Sequence, residues 1–308
     1  MSETLNEHAT GSIEVGSRSF AAAARLFDPD TRRSAVMLYA WCRHCDDVVD
    51  GQELGFGQTP ASRNTSEQRL AELIDLTRRA YAGEPMTQPP FAALQEVIRR
   101  HPIPQRYALQ HLHGFAMDVQ GRQYQTIDDT LEYCYHVAGV VGLMMAIIMG
   151  AKDEATLDRA CDLGLAFQLT NIARDIVEDA SNGRCYLPAQ WLSEEGVPRQ
   201  ELTLSRHRPA VARLAARLVD LAEPYYDSAS QGLPALPLRS AWAIATARGV
   251  YREIGVKVKR RGAAAWDQRV STSKWDKLRL VTAGALQAAA SRRLRIRPRE
   301  ALLWSRPR

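Results

Sequence analysis

Two stretches of this 308-residue chain place acids four residues apart on helices that are apolar nearly everywhere else, and its fold must accommodate both. In the first, Tyr39, Arg43, Asp46 and Asp50 fall within an arc of roughly 60° at about 100° per residue. The other faces carry Ala35, Met37, Leu38, Trp41, Cys45, Val48 and Val49. In the second, Gln168, Asn171, Asp175 and Asp179 share roughly 80° of arc, surrounded by Leu165, Phe167, Leu169, Ile172, Ile176 and Val177. A surface helix has the opposite balance, a broad polar face and a narrower apolar one. A thin polar seam on an apolar helix predicts that the seam lines an internal cavity.

Acids at i and i+4 repel each other, and burial raises the cost, so a cation or an arginine must compensate them. Carboxylates beside an asparagine offer hard oxygen ligands, which suit Mg²⁺ or Mn²⁺ better than zinc. Mg²⁺ keeps coordination positions open for substrate phosphates, so two facing seams could clamp a diphosphate. Arg43 and Arg184 would add fixed positive charge. Either acidic pair alone reads as a solvated helix face; the two together, each with an arginine nearby, read as a site. Between them, Ala138, Gly139 and Gly142 leave room beside a helix, which fits a pocket wall and close helix packing equally well. His136 reads as a hydrogen-bonded core residue, and His111 and His113 lack the spacing of a metal motif.

Strand signals are scarce, and the helical period predicts helices over 31–50, 66–82, 90–100, 104–119, 127–150, 153–180, 208–230, 236–261 and 273–290. We expect an all-α fold, with one helical domain over 1–290 and a basic tail over 291–308. The polar stretch 51–66 follows the first acidic pair and reads as a flap or a plain loop. Residues 133–151 lack charge for nineteen positions, a borderline length for a membrane span. One span would separate the two acidic seams, so a buried core helix is expected instead. The five cysteines, odd in number, and an N-terminus without an apolar leader lead us to expect reduced packing thiols and a cytoplasmic protein.

The net charge of +5 is unevenly placed. Seven arginines and one acid, Glu300, occupy 291–308, so the rest of the chain is near neutral. That argues against nucleic acid as the partner. Leu294, Ile296, Leu302, Leu303 and Trp304 among those arginines suit an anionic membrane surface, or else a frayed terminus.

Several blocks together resemble the squalene/phytoene synthase family. They are 17–20 (Ser-Arg-Ser-Phe), 39–50 (Tyr-Ala-Trp-Cys-Arg leading to Asp46 and Asp50), Tyr133-Cys134-Tyr135 with Val137-Ala138-Gly139, and Gln168 through Asp179 continuing to Arg184, Tyr186 and Pro188. The last block is highly specific and is similar to bacterial phytoene synthases in particular. The resemblance covers about 17–277 and implies an isoprenoid synthase helical bundle around a central cavity. It implies head-to-head condensation of two geranylgeranyl diphosphates to phytoene in carotenoid biosynthesis. Asp46, Asp50, Asn171, Asp175 and Asp179 would match metal-binding positions for Mg²⁺ or Mn²⁺. Ser17, Arg18, Ser19, Arg43, Tyr135, Gln168, Arg184 and Arg269 would contact substrate, and Tyr39 and Tyr251 would line the reaction chamber with the catalytic aspartates. The resemblance also implies ATP as an activator, although the chain has no P-loop; NADPH is not expected.

Rival readings share parts of this pattern. A synthase using farnesyl diphosphate to make dehydrosqualene or squalene has both seams and differs in chain length. A terpene cyclase or chain-elongating enzyme fits Asp46 and Asp50 alone, but not the Arg184, Tyr186 and Pro188 continuation. A non-catalytic helical assembly factor would be expected to lose the carboxylates retained here.

Overall fold

The chain supplies its own helix punctuation. Asp28 accepts a hydrogen bond from the Thr31 amide at 3.0 Å, Pro29 opens the helix that follows, and Gly51 closes it at φ 63°. The computed structural model describes residues 18–51, 63–293 and 295–308, with the backbone alone for 18–20 and 63–64. Ser17 and most of the expected flap lie outside the described residues.

In chain order the helices are α1 (Arg18–Ala24), α2 (Pro29–Asp50), α3 (Arg63–Tyr81), α4 (Pro89–Arg100), α5 (Gln105–Val119), α6 (Ile127–Cys134), α7 (Val140–Ile148), α8 (Glu154–Ser181), α9 (Ala189–Glu194), α10 (Arg208–Ser230), α11 (Leu238–Arg261) and α12 (Lys274–Ser291). No strand occurs among the described residues. The expected helices are present with ends shifted by a few residues. Two short ones, α1 and α9, have too few turns to show a period and were not anticipated.

The central 28-residue α8 packs against α10, α7 and α11. The apolar run Ile127–Ile148 is long enough to cross a membrane, yet two thirds of its most apolar window is buried inside the protein. Its α6 and α7 are joined by a π turn, Tyr135–Gly139, in which the Val140 amide bonds to the Tyr135 carbonyl.

The glycines between the acidic seams are explained by packing. A Cβ at Gly142 would sit 2.3 Å from the Ala160 carbonyl oxygen, and one at Gly164 would sit 2.4 Å from that of Ala138. The α6–α7 segment and α8 therefore cross backbone to backbone, and the close approach also places their side chains around one shared cavity. Gly142→Ala should cost ~1–3 kcal/mol by overpacking a contact made of main chain, which cannot swing aside. Thermal melting against wild type checks this.

The C-terminal segment is docked. Arg299 grips the buried Asp162 of α8 with two hydrogen bonds of 2.8 and 2.7 Å, and Arg306 bonds to Asp158 at 2.7 Å and to Glu154. Arg292 donates to the carbonyls of Pro234 and Leu236 at 2.7 and 2.5 Å. The Trp304 amide donates to the Tyr225 hydroxyl at 3.1 Å. Much of the expected free basic tail is thus an arginine-rich strap across the N-terminal half of α8.

Candidate active site

Both acidic seams face one cavity of about 530 Å³. From α2 it is lined by Tyr39, Arg43 and Asp46; from α8 by Gln168, Asn171, Asp175 and Asp179; and beyond them by Arg184, Tyr251 and Arg269. Apolar walls come from Leu38, Phe115, Val137, Val141, Met145, Leu163 and Phe167, among others. One end therefore carries the carboxylates, and the remaining depth is mostly hydrocarbon, with His111, Thr156 and Arg159 as its polar members.

Arginines hold the carboxylates in place. Arg43 bonds to Asp46 at 3.0 Å and to Asp47 at 2.9 Å. Arg184 bonds to Asp50 through both terminal nitrogens, one at 3.0 Å, and so ties the end of the second motif to the end of the first. Asp175 is held by Arg174 at 2.8 Å and by Arg269 at 3.2 Å, and Arg269 also reaches Glu178 at 2.6 Å.

Asp46 opens toward the cavity with protein on its other sides. Loss of hydration raises its carboxyl to about 7, against the pull of Arg43, with Asp50 and Asp47 adding repulsion. Asp179 is likewise raised to about 7, by burial first and by Asp175 second, with Arg184 opposing. These carboxylates are poised to accept positive charge.

Three participants were not anticipated as site residues. Asp118 of α5 lines the cavity and accepts hydrogen bonds from the Tyr133 and Tyr186 hydroxyls, each at 3.0 Å. The two rings stack with centroids 4.5 Å apart. Burial raises Asp118 to about 6, while Arg184 pulls it down. The tyrosines lie within the blocks read from sequence, but Asp118 stands alone in its helix and offers no spacing signal.

Tyr135 is not among the cavity-lining residues. It is fully buried, donates to the Gln110 side chain at 2.8 Å and tilts against Trp304 of the strap. Tyr133 of α6, Val137 of the π turn and Val141 of α7 line the cavity instead. Asp50 reaches the site through Arg184 rather than through the cavity wall. Arg18 and Ser19 begin α1, with their side chains outside the described residues.

His111 lines the cavity against Trp41 and Phe115, and burial lowers its pKa to about 4. The unfolded chain, with a histidine pKa of about 6.5, binds more protons between pH 6.5 and 4. His111 should therefore contribute stability above pH 6.5 that is lost as pH falls toward 4, on the order of 3 kcal/mol. His136, also lowered by burial, acts in the same direction, whereas the raised carboxyls of Asp46, Asp118 and Asp179 act in the opposite one. The check is the difference in melting temperature between wild type and His111→Gln from pH 7.5 to 5, which should narrow as the pH drops.

The profile described as squalene/phytoene synthase matches residues 13–276. The chain belongs to the squalene/phytoene synthase family. It is 63% identical over 295 residues to a 15-cis-phytoene synthase of Enterobacter agglomerans, covering 96% of this chain and all of that one. It is 61% identical to the 15-cis-phytoene synthase of Pantoea ananas, covering 99% and 98% of the two chains. Among solved structures, a dehydrosqualene synthase in complex with ligand superposes with TM-score 0.84 at 26% identity, covering 94% of this chain and 98% of that one. Squalene/phytoene synthases use prenyl diphosphates, and in this member the charged end and apolar depth of the cavity match the two halves of such a substrate.

Proposed function

We infer that this chain is a phytoene synthase, a prenyltransferase that joins two geranylgeranyl diphosphates head to head through prephytoene diphosphate to phytoene, releasing diphosphate. The observation that carries the reading is the juncture of both carboxylate seams, tied by Arg184, at the charged end of one apolar cavity.

Among the described residues no three acidic side chains converge into a ready-made metal cage. Two facing banks of oxygen donors remain, which fit an ion that shares its shell with diphosphate and water. Asp46, Asp50, Asn171, Asp175 and Asp179 are the residues that would hold it. When bound, Mg²⁺ or Mn²⁺ supplies positive charge to the departing diphosphate. Arg43, Arg174, Arg184 and Arg269 add fixed charge on the same side, and they compensate the aspartates when substrate is absent. The apolar depth keeps water from the allylic cation. Tyr39, Tyr133, Phe167 and Tyr251 turn aromatic faces and edges toward the space where the cation passes, and Phe167 and Tyr251 stack at 4.1 Å. The second substrate's double bond captures that cation and loses a proton as the cyclopropane of prephytoene diphosphate closes, and a second ionisation, rearrangement and a second proton loss complete the product.

The experiment incubates the purified chain with geranylgeranyl or farnesyl diphosphate separately, with Mg²⁺ or Mn²⁺, without NADPH, and with ATP in a parallel arm. Phytoene from the C20 substrate is the expected product. A C30 hydrocarbon from the C15 substrate alone would keep the chemistry and overturn the chain length.

The product is very apolar, and the same reading includes contact with a membrane surface. With Arg299, Arg306 and Arg308 of the strap engaged in ion pairs, α12 is the better candidate for this contact: Trp275, Leu278 and Leu286 are 80%, 58% and 69% exposed on one face, beside the exposed Lys274. Trp275→Ala/Leu278→Ala should weaken co-sedimentation with anionic vesicles at least about tenfold, at unchanged fold.

A further inference from the structure

Helix α8 lines the cavity at every fourth residue, through Asp179, Asp175, Asn171, Phe167, Leu163 and Arg159. The order runs from carboxylate through aromatic and aliphatic to a buried cation. Sixteen residues separate Asp175 from Arg159, or about 24 Å along the helix. Arg159 therefore lies at the deep end, where a diphosphate has no place and only a hydrocarbon tail can arrive.

A buried arginine, 7% exposed, on a hydrocarbon-lined wall is costly unless its head is satisfied elsewhere. Here the head turns out of the cavity. One terminal nitrogen donates to the Ser228 hydroxyl at 3.0 Å and the other to the Arg297 carbonyl of the strap at 2.6 Å. Ser228 donates in turn to Asp162, which Arg299 grips from the strap. The Arg297 amide is held by the Gln231 side chain at 3.1 Å. Fixed by these bonds, the methylene stem is the part left to wall the cavity. Beside it on the cavity wall, Gly232 leaves no slack, because a Cβ there would lie 2.9 Å from the Arg159 Cβ.

We propose that Arg159, held by the C-terminal strap, is the end wall that sets the longest isoprenoid tail this enzyme accepts. The proposal rests on the phytoene synthase reading above. An aliphatic side chain could fill the same volume, but it would be free to swing between rotamers. The guanidinium pins the stem at both nitrogens, so the depth is set by hydrogen bonds as well as by packing. The mechanism uses neither Arg159 nor the strap for chemistry, so their effect falls on substrate length.

The test measures kcat/KM of the full-length protein for C15, C20 and C25 allylic diphosphates with wild type, Arg159→Ala, Arg159→Met and Gly232→Ala, each checked for folding by circular dichroism. Arg159→Ala removes the stem and should raise the C25-to-C20 ratio about tenfold or more. Arg159→Met keeps a long stem and should hold that ratio within about threefold of wild type. Gly232→Ala adds a methyl to the same wall and crowds the stem, which narrows the cavity there and should raise the C15-to-C20 ratio. Unchanged ratios in Arg159→Ala and Gly232→Ala would overturn the proposal, as would equal shifts in the alanine and methionine variants. If Arg159→Ala does not fold, the Gly232→Ala ratio decides alone. A wild type that prefers C15 would defeat the C20 reading, while the direction of the variant shifts would still judge Arg159.

Discussion

Asp175→Asn is expected to lower kcat/KM by about 10³-fold or more while leaving the fold intact. The substitution keeps the size of the side chain but removes its charge. Arg174 at 2.8 Å loses its counter-charge, Arg269 at 3.2 Å is left with Glu178 alone, and a ligand position for the divalent ion loses its anionic oxygen. Preorganised charge aimed at a leaving group is worth about 10²–10³ per contact, and here one residue serves both the ion and the arginines that face the diphosphate. Single-turnover kinetics with the C20 substrate, together with a Mn²⁺ titration, would check it. Near-normal activity with weakened Mn²⁺ binding would show that the ion is held mainly from the α2 side.

Arg299→Ala is the second large effect, and it acts on stability. Asp162 is 1% exposed, and its two hydrogen bonds from Arg299 are its charged partnership. Removing one member of a buried pair strands the other charge and costs about 3–5 kcal/mol. For a chain of this size that corresponds to a melting-temperature loss on the order of 10 °C. Arg293→Ala, at an exposed position of the same segment, should change stability by no more than about 0.5 kcal/mol. Equal, small effects of both would mean that the C-terminal segment is not a structural strap.

The two arginines differ in a way that net charge along the chain does not reveal. Arg299 and Asp162 are 137 residues apart, so seven clustered arginines read as a tail offered to solvent or to lipid. Only the return of the chain along α8 turns that charge inward. Tyr135 and Tyr133 make the same point over two residues. Both lie in a block whose resemblance is clear, yet two residues apart on a helix they point to opposite sides, and only Tyr133 meets the cavity. Asp118 is a lone acid in α5 until Tyr133 and Tyr186 arrive from other elements.

Local sequence was enough for the helices, because strand signals are scarce, several long ones carry a 3.6-residue period, and many have a capping residue or proline at one end. It was also enough for the two carboxylate seams, since side chains four apart on one helix share a face whatever the helix packs against. Which seam faces which, how deep the hydrocarbon end runs, and what closes it depend on contacts between residues far apart in the chain. Arg184 reaches back 134 positions to Asp50, and the strap carbonyl of Arg297 meets Arg159 across 138. Such pairings leave no periodic trace, because their energy is realised only after the helices have packed.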